Sequence, residues 1–266
     1  MTTGLRPFLS YYGSKFRAAP KYPQPAHDTI VEPFAGAAGY ALRYPERRVV
    51  LVERDPRLAG IWRFLIRARA EDVLALPLMD LDATVDDLPA CDPDGRELIR
   101  AWLQGGARNG KNSFSSMAKR NLTDNPNTPK FWGAACRARI ASQVSAIKHW
   151  TIIEGDYIEA PDIVGTWFVD PPYDNAAGRV YRYHKLDYPA LGAWCRARRG
   201  QVLVCENKGA SWLPFRPLYD MSNNWNGDTT KQTVEMLWSN DVPSLDLNRG
   251  EHPVRGVNRI SMVRTQ

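Results

Sequence analysis

The sequence predicts an α/β protein with a mainly parallel β-sheet that carries helices on both faces. Short apolar runs recur between turn residues and are almost continuously apolar, which is typical of strands that helices cover on both sides. Helical stretches alternate with these runs, and a chain of 266 residues is long enough to bury one large core. A later group of apolar runs predicts an antiparallel edge on the sheet.

The elements follow one another with a single large interruption. The predicted parallel strands are residues 29–31, 49–52, 151–153, 166–169 and 201–205, and the predicted edge strands are residues 217–221, 233–238 and 259–263. Helices are expected over residues 56–69, 97–104, 131–147 and 188–198. About ninety residues separate the second strand from the third, more than a crossover helix needs. We therefore divide the chain into a core domain, residues 1–57 and 150–266, and an inserted, mostly helical region, residues 58–149.

Composition argues against several classes of protein. Hydrophobic residues make up 44% and charged residues 24%, and no apolar run approaches eighteen residues, so we expect neither general disorder nor a membrane span. The four cysteines contain no Cys-x-x-Cys pair and the four histidines are widely spaced, which argues against a disulfide scaffold and against a metal site. The N-terminus has no secretory apolar segment. The expectation is a cytoplasmic protein that is a monomer or a weak dimer.

The formal net charge of +6 hides two blocks of opposite sign. Residues 71–97 carry a net charge of −8, and residues 100–148 carry a net charge of +8. We interpret the basic block as a surface that faces nucleic-acid phosphates, while an ordinary solvated helical face is the alternative. Loops predicted at residues 105–114 and 121–129 add amide and guanidinium groups, which can read the edges of bases.

The clearest chemical motif is an apolar strand that ends in Asp170-Pro171-Pro172-Tyr173. The carboxyl ends of strands are where open α/β sheets bind ligands, and consecutive prolines restrict the backbone of the turn. The turn offers the Asp170 carboxylate and the Pro171 carbonyl as two acceptors beside the flat face of Tyr173. This combination suits a planar group with an exocyclic amine, such as a nucleobase, because the acceptors orient the amine while the ring stacks on the base.

A second motif runs from a strand into a small-residue turn that opens a predicted helix, over residues 30–42. Its Gly36-Ala37-Ala38-Gly39 segment lacks the Gly-x-Gly-x-x-Gly spacing of dinucleotide-binding oxidoreductases. The next strand ends at Glu53, whose carboxylate can accept both hydroxyls of a ribose. Asp55 is the second candidate for that role, but Asp before Pro is equally typical of a helix N-cap.

Together with Tyr11-Tyr12-Gly13-Ser14-Lys15, these motifs resemble the Dam-like (class alpha) family of adenine-N6 DNA methyltransferases. The order of the motifs along the chain carries the resemblance, which spans most of residues 8–240. It implies a Rossmann-like methyltransferase fold with a seven-stranded sheet, S-adenosylmethionine as the cofactor, and methyl transfer to the N6 amine of an adenine flipped out of duplex DNA.

The resemblance also assigns site residues. It implies that Asp170, Pro171, Pro172 and Tyr173 form the catalytic loop. The cofactor-binding residues that it implies are Tyr11, Lys15, Glu32, Phe34, Ala35, Gly36, Glu53, Asp156, Tyr157 and Asp170. The segment 233–240 matches a late strand of the family and is interpreted as structural.

The inserted region matches no known base-reading residues of the family, so the recognition sequence is left open. The candidates for DNA contact are Arg108, Asn109, Lys111, Asn112, Lys119, Arg120, Asn121 and Lys130, and residues 223–231 are a candidate mobile loop near the target base. Two alternatives remain: an RNA base-amine methyltransferase, and a catalytically silent DNA-binding module of the same fold. A protein-glutamine methyltransferase is disfavoured because that group has Asn at the position of Asp170.

Overall fold

A seven-stranded sheet forms the centre of the computed structural model, which describes residues 4–106, 110–176, 178–222 and 232–240. Its strands are β1 (Thr29–Glu32), β2 (Arg48–Glu53), β3 (Thr151–Glu154), β4 (Val164–Val169), β5 (Arg199–Asn207), β6 (Arg216–Ser222) and β7 (Gln232–Ser239). Their order across the sheet is β3-β2-β1-β4-β5-β7-β6. Strands β1 to β5 pair in parallel, and β7 lies antiparallel between β5 and β6. The predicted α/β fold with its antiparallel edge is therefore confirmed, while the strand predicted at residues 259–263 lies outside the described residues.

Both faces of the sheet are buried. Ile30 and Phe168 belong to one apolar cluster, whereas their chain neighbours Val31 and Trp167 belong to a second cluster on the opposite face. Helix α6 (Tyr188–Arg196) contributes apolar side chains to the second cluster. This two-sided burial explains why the strand sequences are almost continuously apolar.

The segment between β2 and β3 packs directly on the first face of the sheet. It contains α1 (Pro56–Arg67), α2 (Ala70–Leu74), α3 (Pro93–Ala101), α4 (Ser116–Asp124) and α5 (Ala134–Ala141). Its buried side chains share one apolar cluster with the sheet residues Ile30 and Leu51; among them are Trp62, Leu98, Trp132 and Ile140. Among the described residues, the inserted region is thus continuous with the core.

Helices α3 and α4 begin at capping residues, and their first residues differ from what the sequence predicts. Helix α3 begins at Pro93 rather than at residue 97, because the Asp92 side chain accepts hydrogen bonds from two amides of the first turn. Helix α4 was not predicted; it begins after Ser115, whose side chain accepts from the Ala118 amide. The predicted loop at residues 121–129 is therefore helical at its start.

Two predicted helices are shorter than expected. The helix predicted over residues 131–147 is α5 followed by a 3-10 turn at Val144–Ile147. The amide of Trp132 donates to the Trp102 carbonyl at 3.1 Å, which holds the chain before α5 in a loop. The helix predicted after the glycine-containing turn is a 3-10 turn at Ala41–Arg43, because Pro45 follows closely and disfavours helical backbone before it.

No helix in the described part of the chain combines the length and the apolarity needed to cross a lipid bilayer. All four cysteines are free thiols, and three of them are buried.

Candidate active site

A cavity of about 640 Å³ opens at the carboxyl ends of the parallel strands. It lies where the strand order reverses, since β2 and β3 lie on one side of β1 whereas β4 and β5 lie on the other. Open α/β sheets bind ligands at such a switch point. All the residues predicted for the cofactor and catalytic sites line this cavity: Tyr11, Lys15, Glu32, Phe34, Ala35, Gly36, Glu53, Asp156, Tyr157, Asp170, Pro171, Pro172 and Tyr173.

Asp170, at the end of β4, belongs to a cluster of charged and phenolic side chains. The Lys15 Nζ atom lies 2.7 Å from Asp170 Oδ1 and 3.8 Å from Glu235 Oε1. It also lies 4.7 Å from the centroid of the Tyr173 ring. The hydroxyls of Tyr173 and Tyr22 both donate to Glu235 Oε1, at 2.5 and 2.6 Å. The cluster therefore joins the N-terminal segment, the loop after β4 and the strand β7.

Burial and neighbouring charges both act on the Lys15–Asp170 ion pair. Burial alone would lower the pKa of Lys15, but the carboxylates of Asp170 and Glu235 outweigh it and raise that pKa. Burial raises the pKa of Asp170; Lys15 opposes this increase, and the charge of Glu235 adds to it. Lys15 is therefore a cation at neutral pH, and its charge favours the ionised, hydrogen-bond-accepting form of Asp170.

Two carboxylates hold the turn that follows β1. Glu32 accepts from the Ala41 amide at 2.7 Å, and Glu53 accepts from the amides of Gly36 and Asp55, each at 2.8 Å. Gly36 has φ +44°, a left-handed conformation that glycine adopts without a Cβ penalty. A hydrogen bond from the Arg54 amide also lowers the pKa of Glu53. A carboxylate has about four lone-pair sites, so Glu53 retains a site for a further donor.

Burial raises the pKa of Glu32 to about 8, from an ordinary value of 4.5, although the bond from Ala41 lowers it. Because the folded state favours the protonated form, this group stabilises the protein fully below about pH 4.5, and the stabilisation is lost as the pH rises towards 8. We expect Glu32→Gln to raise the free energy of unfolding at pH 8 relative to the wild type, by on the order of a few kcal/mol. Glutamine keeps an acceptor for the Ala41 amide, so little change is expected at pH 4.5.

Urea unfolding at pH 4.5, 6 and 8 measures this effect. The exposed Glu71 provides a matched control, Glu71→Gln, which removes a carboxylate from the surface instead of the interior. An identical loss of stability between pH 4.5 and 8 in Glu32→Gln and in the wild type would contradict the prediction. Part of the pH dependence should persist in Glu32→Gln, since burial also raises the pKa of Glu53, to about 7.

Aromatic rings and a second ion pair form another part of the cavity wall. The rings of Phe34 and Tyr157 stack with centroids 5.4 Å apart, and Trp194 packs edge-on against Tyr157. Asp156 follows β3 and forms an ion pair with Arg54 at 3.1 Å. These residues supply a flat apolar surface next to a carboxylate.

Asp55 serves as a helix cap. It accepts from the Arg57 amide at the start of α1, and it forms an ion pair with the Arg57 side chain at 2.7 Å. The N-cap interpretation of Asp55 is thus confirmed, and Glu53 is the acid at the end of β2 that remains available for a ligand hydroxyl.

Several predicted nucleic-acid residues are engaged within the fold. Lys119 forms an ion pair with Asp82 at 2.6 Å, and Asn112 donates to Asp86 at 3.2 Å. Asn121 donates to a carbonyl one turn earlier in α4, at 2.9 Å. Lys111, Arg120 and Lys130, by contrast, are exposed, and their side chains form no ion pair or hydrogen bond with the residues that the structure describes. Arg108 and Asn109 lie outside the described residues, as does the loop at residues 223–231.

The acidic and basic blocks partly neutralise each other. Arg100 lies 3.1 Å from Glu97 and 3.5 Å from Asp86. Three further bases of the block donate to backbone carbonyls, namely Arg137, Arg139 and Lys148. The hypothesis of a phosphate-facing surface is therefore restricted to the Lys and Arg side chains that form neither an ion pair nor a hydrogen bond to a backbone carbonyl. The amide of Gly106 donates to the Ser10 hydroxyl at 2.8 Å, so Gly106 lies beside the segment that continues into the cavity wall.

The sequence interpretation missed several residues of the cavity. Glu235 was interpreted as structural, although it is the only charged residue of β7, and that charge was a usable signal. Tyr181, Arg182 and Tyr183 also line the cavity and form a short aromatic and basic run soon after the catalytic loop. Tyr219 joins from β6, with Lys21 lying 3.9 Å from its ring centroid.

Within the described ranges, no three His, Cys, Asp or Glu side chains come close enough together to hold a metal ion. In comparisons with known proteins, no family model matches the chain and no curated protein is significantly similar to it.

Proposed function

We propose that this protein is an S-adenosylmethionine-dependent methyltransferase that acts on the N6 amine of adenine in duplex DNA. The observation that carries the proposal is the Asp170-Pro171-Pro172-Tyr173 turn in the wall of a cavity at the switch point of the sheet. The other acids of the cavity support it, because Glu32 and Glu53 end the neighbouring strands β1 and β2, and Asp156 follows the end of β3.

The residues of the cavity fit S-adenosylmethionine. Its ribose hydroxyls and adenine amine need acceptors, and the Glu53 and Asp156 carboxylates would supply them. The Phe34–Tyr157 ring pair offers an apolar face, and Gly36 lets the Tyr11 ring approach the backbone of the turn, since a Cβ there would lie 3.2 Å from that ring. When bound, this cofactor supplies an electrophilic methyl group.

The chain's own groups would orient the amine. Asp170 Oδ1 accepts from Lys15, and a hydrogen bond with Tyr173 also lowers the pKa of the Asp170 carboxyl. A carboxylate has about four lone-pair sites, so Asp170 retains sites for a ligand, and the Pro171 carbonyl accepts no hydrogen bond within the described part of the chain. Two such acceptors would take the two amine hydrogens and direct the nitrogen lone pair towards the methyl group. In methyl transfer the amine nitrogen would gain the methyl group as the bond from that group to sulfur breaks, and one amine proton would be lost to solvent.

Tyr173 would stack on the base. Its hydroxyl is anchored by Glu235, and Lys15 lies over one face of the ring, so the opposite face would meet the base. Stacking of a base on an aromatic ring contributes about 1–3 kcal/mol. This energy would offset part of the few kcal/mol that flipping an adenine out of a duplex costs.

The test is to incubate purified protein with methyl-labelled S-adenosylmethionine and either unmethylated genomic DNA or total RNA, followed by digestion and identification of the labelled nucleoside. The expected result is label in N6-methyladenine from DNA. Label only in RNA would replace the substrate with an RNA base. Cofactor binding without any label would favour the catalytically silent module.

The basic side chains of the inserted region that form no ion pair allow a prediction about the salt dependence of DNA binding. Lys111 and Arg120 are each expected to contact a phosphate. The double variant Lys111→Ala/Arg120→Ala should then flatten the slope of log K, where K is the association constant for DNA, against log salt concentration by about 1.8, which is roughly 0.9 for each contact. The measurement is fluorescence anisotropy of a labelled duplex at several salt concentrations.

Lys119→Ala is the matched control. Lys119 is already neutralised by Asp82, so its replacement should leave the slope of the salt dependence nearly unchanged. An unchanged slope in the double variant would remove Lys111 and Arg120 from the interface.

A further inference from the structure

Glu235 reaches the cavity because β7 runs antiparallel to the strands beside it. In the sheet, Glu235 pairs with Asn207 at the end of β5 and with Tyr219 of β6. The beginning of an antiparallel strand lies at the edge where the parallel strands end. A residue early in β7 is thereby brought to the same edge of the sheet as Asp170.

The Glu235 carboxylate is buried, with 1% exposure, and it is only partly satisfied. Its Oε1 atom accepts from two phenols, whereas its Oε2 atom has no hydrogen-bond partner among the described residues. A buried acceptor without a partner lowers stability, so it calls for an explanation, and a role in the neighbouring site is one such explanation. Glu235 is therefore more than a residue that completes the strand.

Two contacts connect Glu235 to the Asp170 turn. The first is the bond from the Tyr173 hydroxyl at 2.5 Å, which fixes the ring of the last residue of the turn. The second is Lys15, which lies between the two carboxylates, 2.7 Å from Asp170 and 3.8 Å from Glu235. A change at Glu235 would thus alter both the orientation of Tyr173 and the charge around Asp170.

We propose that Glu235 is a positioning residue for the reaction at Asp170, which holds the Tyr173 ring and shares Lys15 with the Asp170 carboxylate. This inference rests on the proposed methyl transfer. Glu235 acts through Tyr173 and Lys15, and it does not itself contact the reacting atoms.

Glu235→Gln is the first test, because glutamine keeps an acceptor for the two phenols and removes the charge. We expect kcat to fall about 10- to 100-fold, the range that misplacement of a reacting group produces, with the KM for DNA and the affinity for S-adenosylmethionine little changed. Glu206→Gln is the matched control, since Glu206 is also 1% exposed but contacts Trp212 and the Asp174 amide instead of Lys15. An equal loss of kcat in both variants would reduce Glu235 to a structural role.

Tyr173→Phe supplies a second variant that breaks the same hydrogen bond from the other side. If Glu235 acts through this bond, the losses of kcat in Glu235→Gln and Tyr173→Phe should be less than additive in the double variant. Full additivity would overturn the role of Glu235 in positioning Tyr173.

A measurement without catalysis separates this inference from the proposed function. The charged groups that face Lys15 are Asp170 and Glu235, with Tyr173 and Cys205 nearby. Removing the Glu235 charge should raise the rate at which acetic anhydride acylates Lys15 about tenfold, as followed by peptide mass spectrometry, because one charged neighbour shifts a pKa by about one unit or more. The exposed Lys111 serves as the internal reference, and Glu206→Gln should leave the Lys15 rate unchanged.

A tenfold rise at Lys15 would support the coupling even if the wild type methylated neither DNA nor RNA, in which case only the proposed function would fail. Equal Lys15 acylation in the wild type and in Glu235→Gln would overturn the coupling whatever the activity.

Discussion

Asp170→Ala is expected to lower methyl transfer by at least about 100-fold, the loss typical of removing a group that acts directly on the reacting atoms. The variant loses one of the two acceptors proposed for the amine, and it removes the 2.7 Å ion pair with Lys15. Binding of S-adenosylmethionine should survive, because the Glu53 and Asp156 carboxylates remain in the cavity wall. Single-turnover transfer of labelled methyl groups measures the loss, and calorimetric titration measures the binding.

Asp174→Ala is the matched control for this prediction. Asp174 is an exposed carboxylate four residues further along the same loop, and it does not line the cavity. We expect its turnover to remain within about threefold of the wild type, as is usual for a surface substitution. Normal turnover by Asp170→Ala would refute the proposed mechanism. Loss of turnover in both variants would mean that a changed loop conformation, and not the missing Asp170 carboxylate, lowers methyl transfer.

Gly39→Ala is expected to disrupt the cavity from a position outside the catalytic turn. A Cβ atom at Gly39 would lie 2.6 Å from the Phe16 amide nitrogen and 2.9 Å from the Lys15 backbone. The segment that carries Lys15 would have to move, and Lys15 would lose its position beside Asp170. We expect the free energy of unfolding to fall by about 1–3 kcal/mol, as in other overpacked sites, together with a loss of most methyl transfer.

Thermal and urea unfolding, followed by the labelled-methyl assay, measure both effects. Gly105→Ala is the control, because the nearest atom to its added Cβ is the flexible methyl group of Met117, at 3.3 Å. Gly105→Ala should therefore unfold like the wild type. A Gly39→Ala protein with wild-type stability and turnover would show that the Lys15 segment accommodates the extra methyl group, contrary to the prediction.

The positions of the acids at the strand ends could be predicted from local sequence. Glu32, Glu53 and Asp170 each follow a run of apolar residues, and parallel strands end at the same edge of a sheet. Once the strands are recognised, their convergence on one cavity follows from topology. The same local reasoning missed α4, because its sequence is polar and only the Ser115 cap indicates where it begins.

The role of Glu235 could not be obtained in this way. Its neighbours at the cavity are Lys15 and Tyr173, which are far from it in the chain, and the contacts exist only because β7 inserts between β5 and β6.

The pairing of charges within the acidic and basic blocks could not be predicted from local sequence either. The excess of bases between residues 100 and 148 is a property of sequence, but the pairing of Lys119 with Asp82 depends on how α4 packs against the segment before it.

The sequence by itself determined the strands, their two-sided burial and the acids at their ends, because these depend on residue types over spans of a few positions. Only the tertiary structure decided which charges are neutralised and which remain available. Ion pairs such as Lys15–Asp170 act over a few ångströms between residues 155 positions apart, a proximity that packing alone creates.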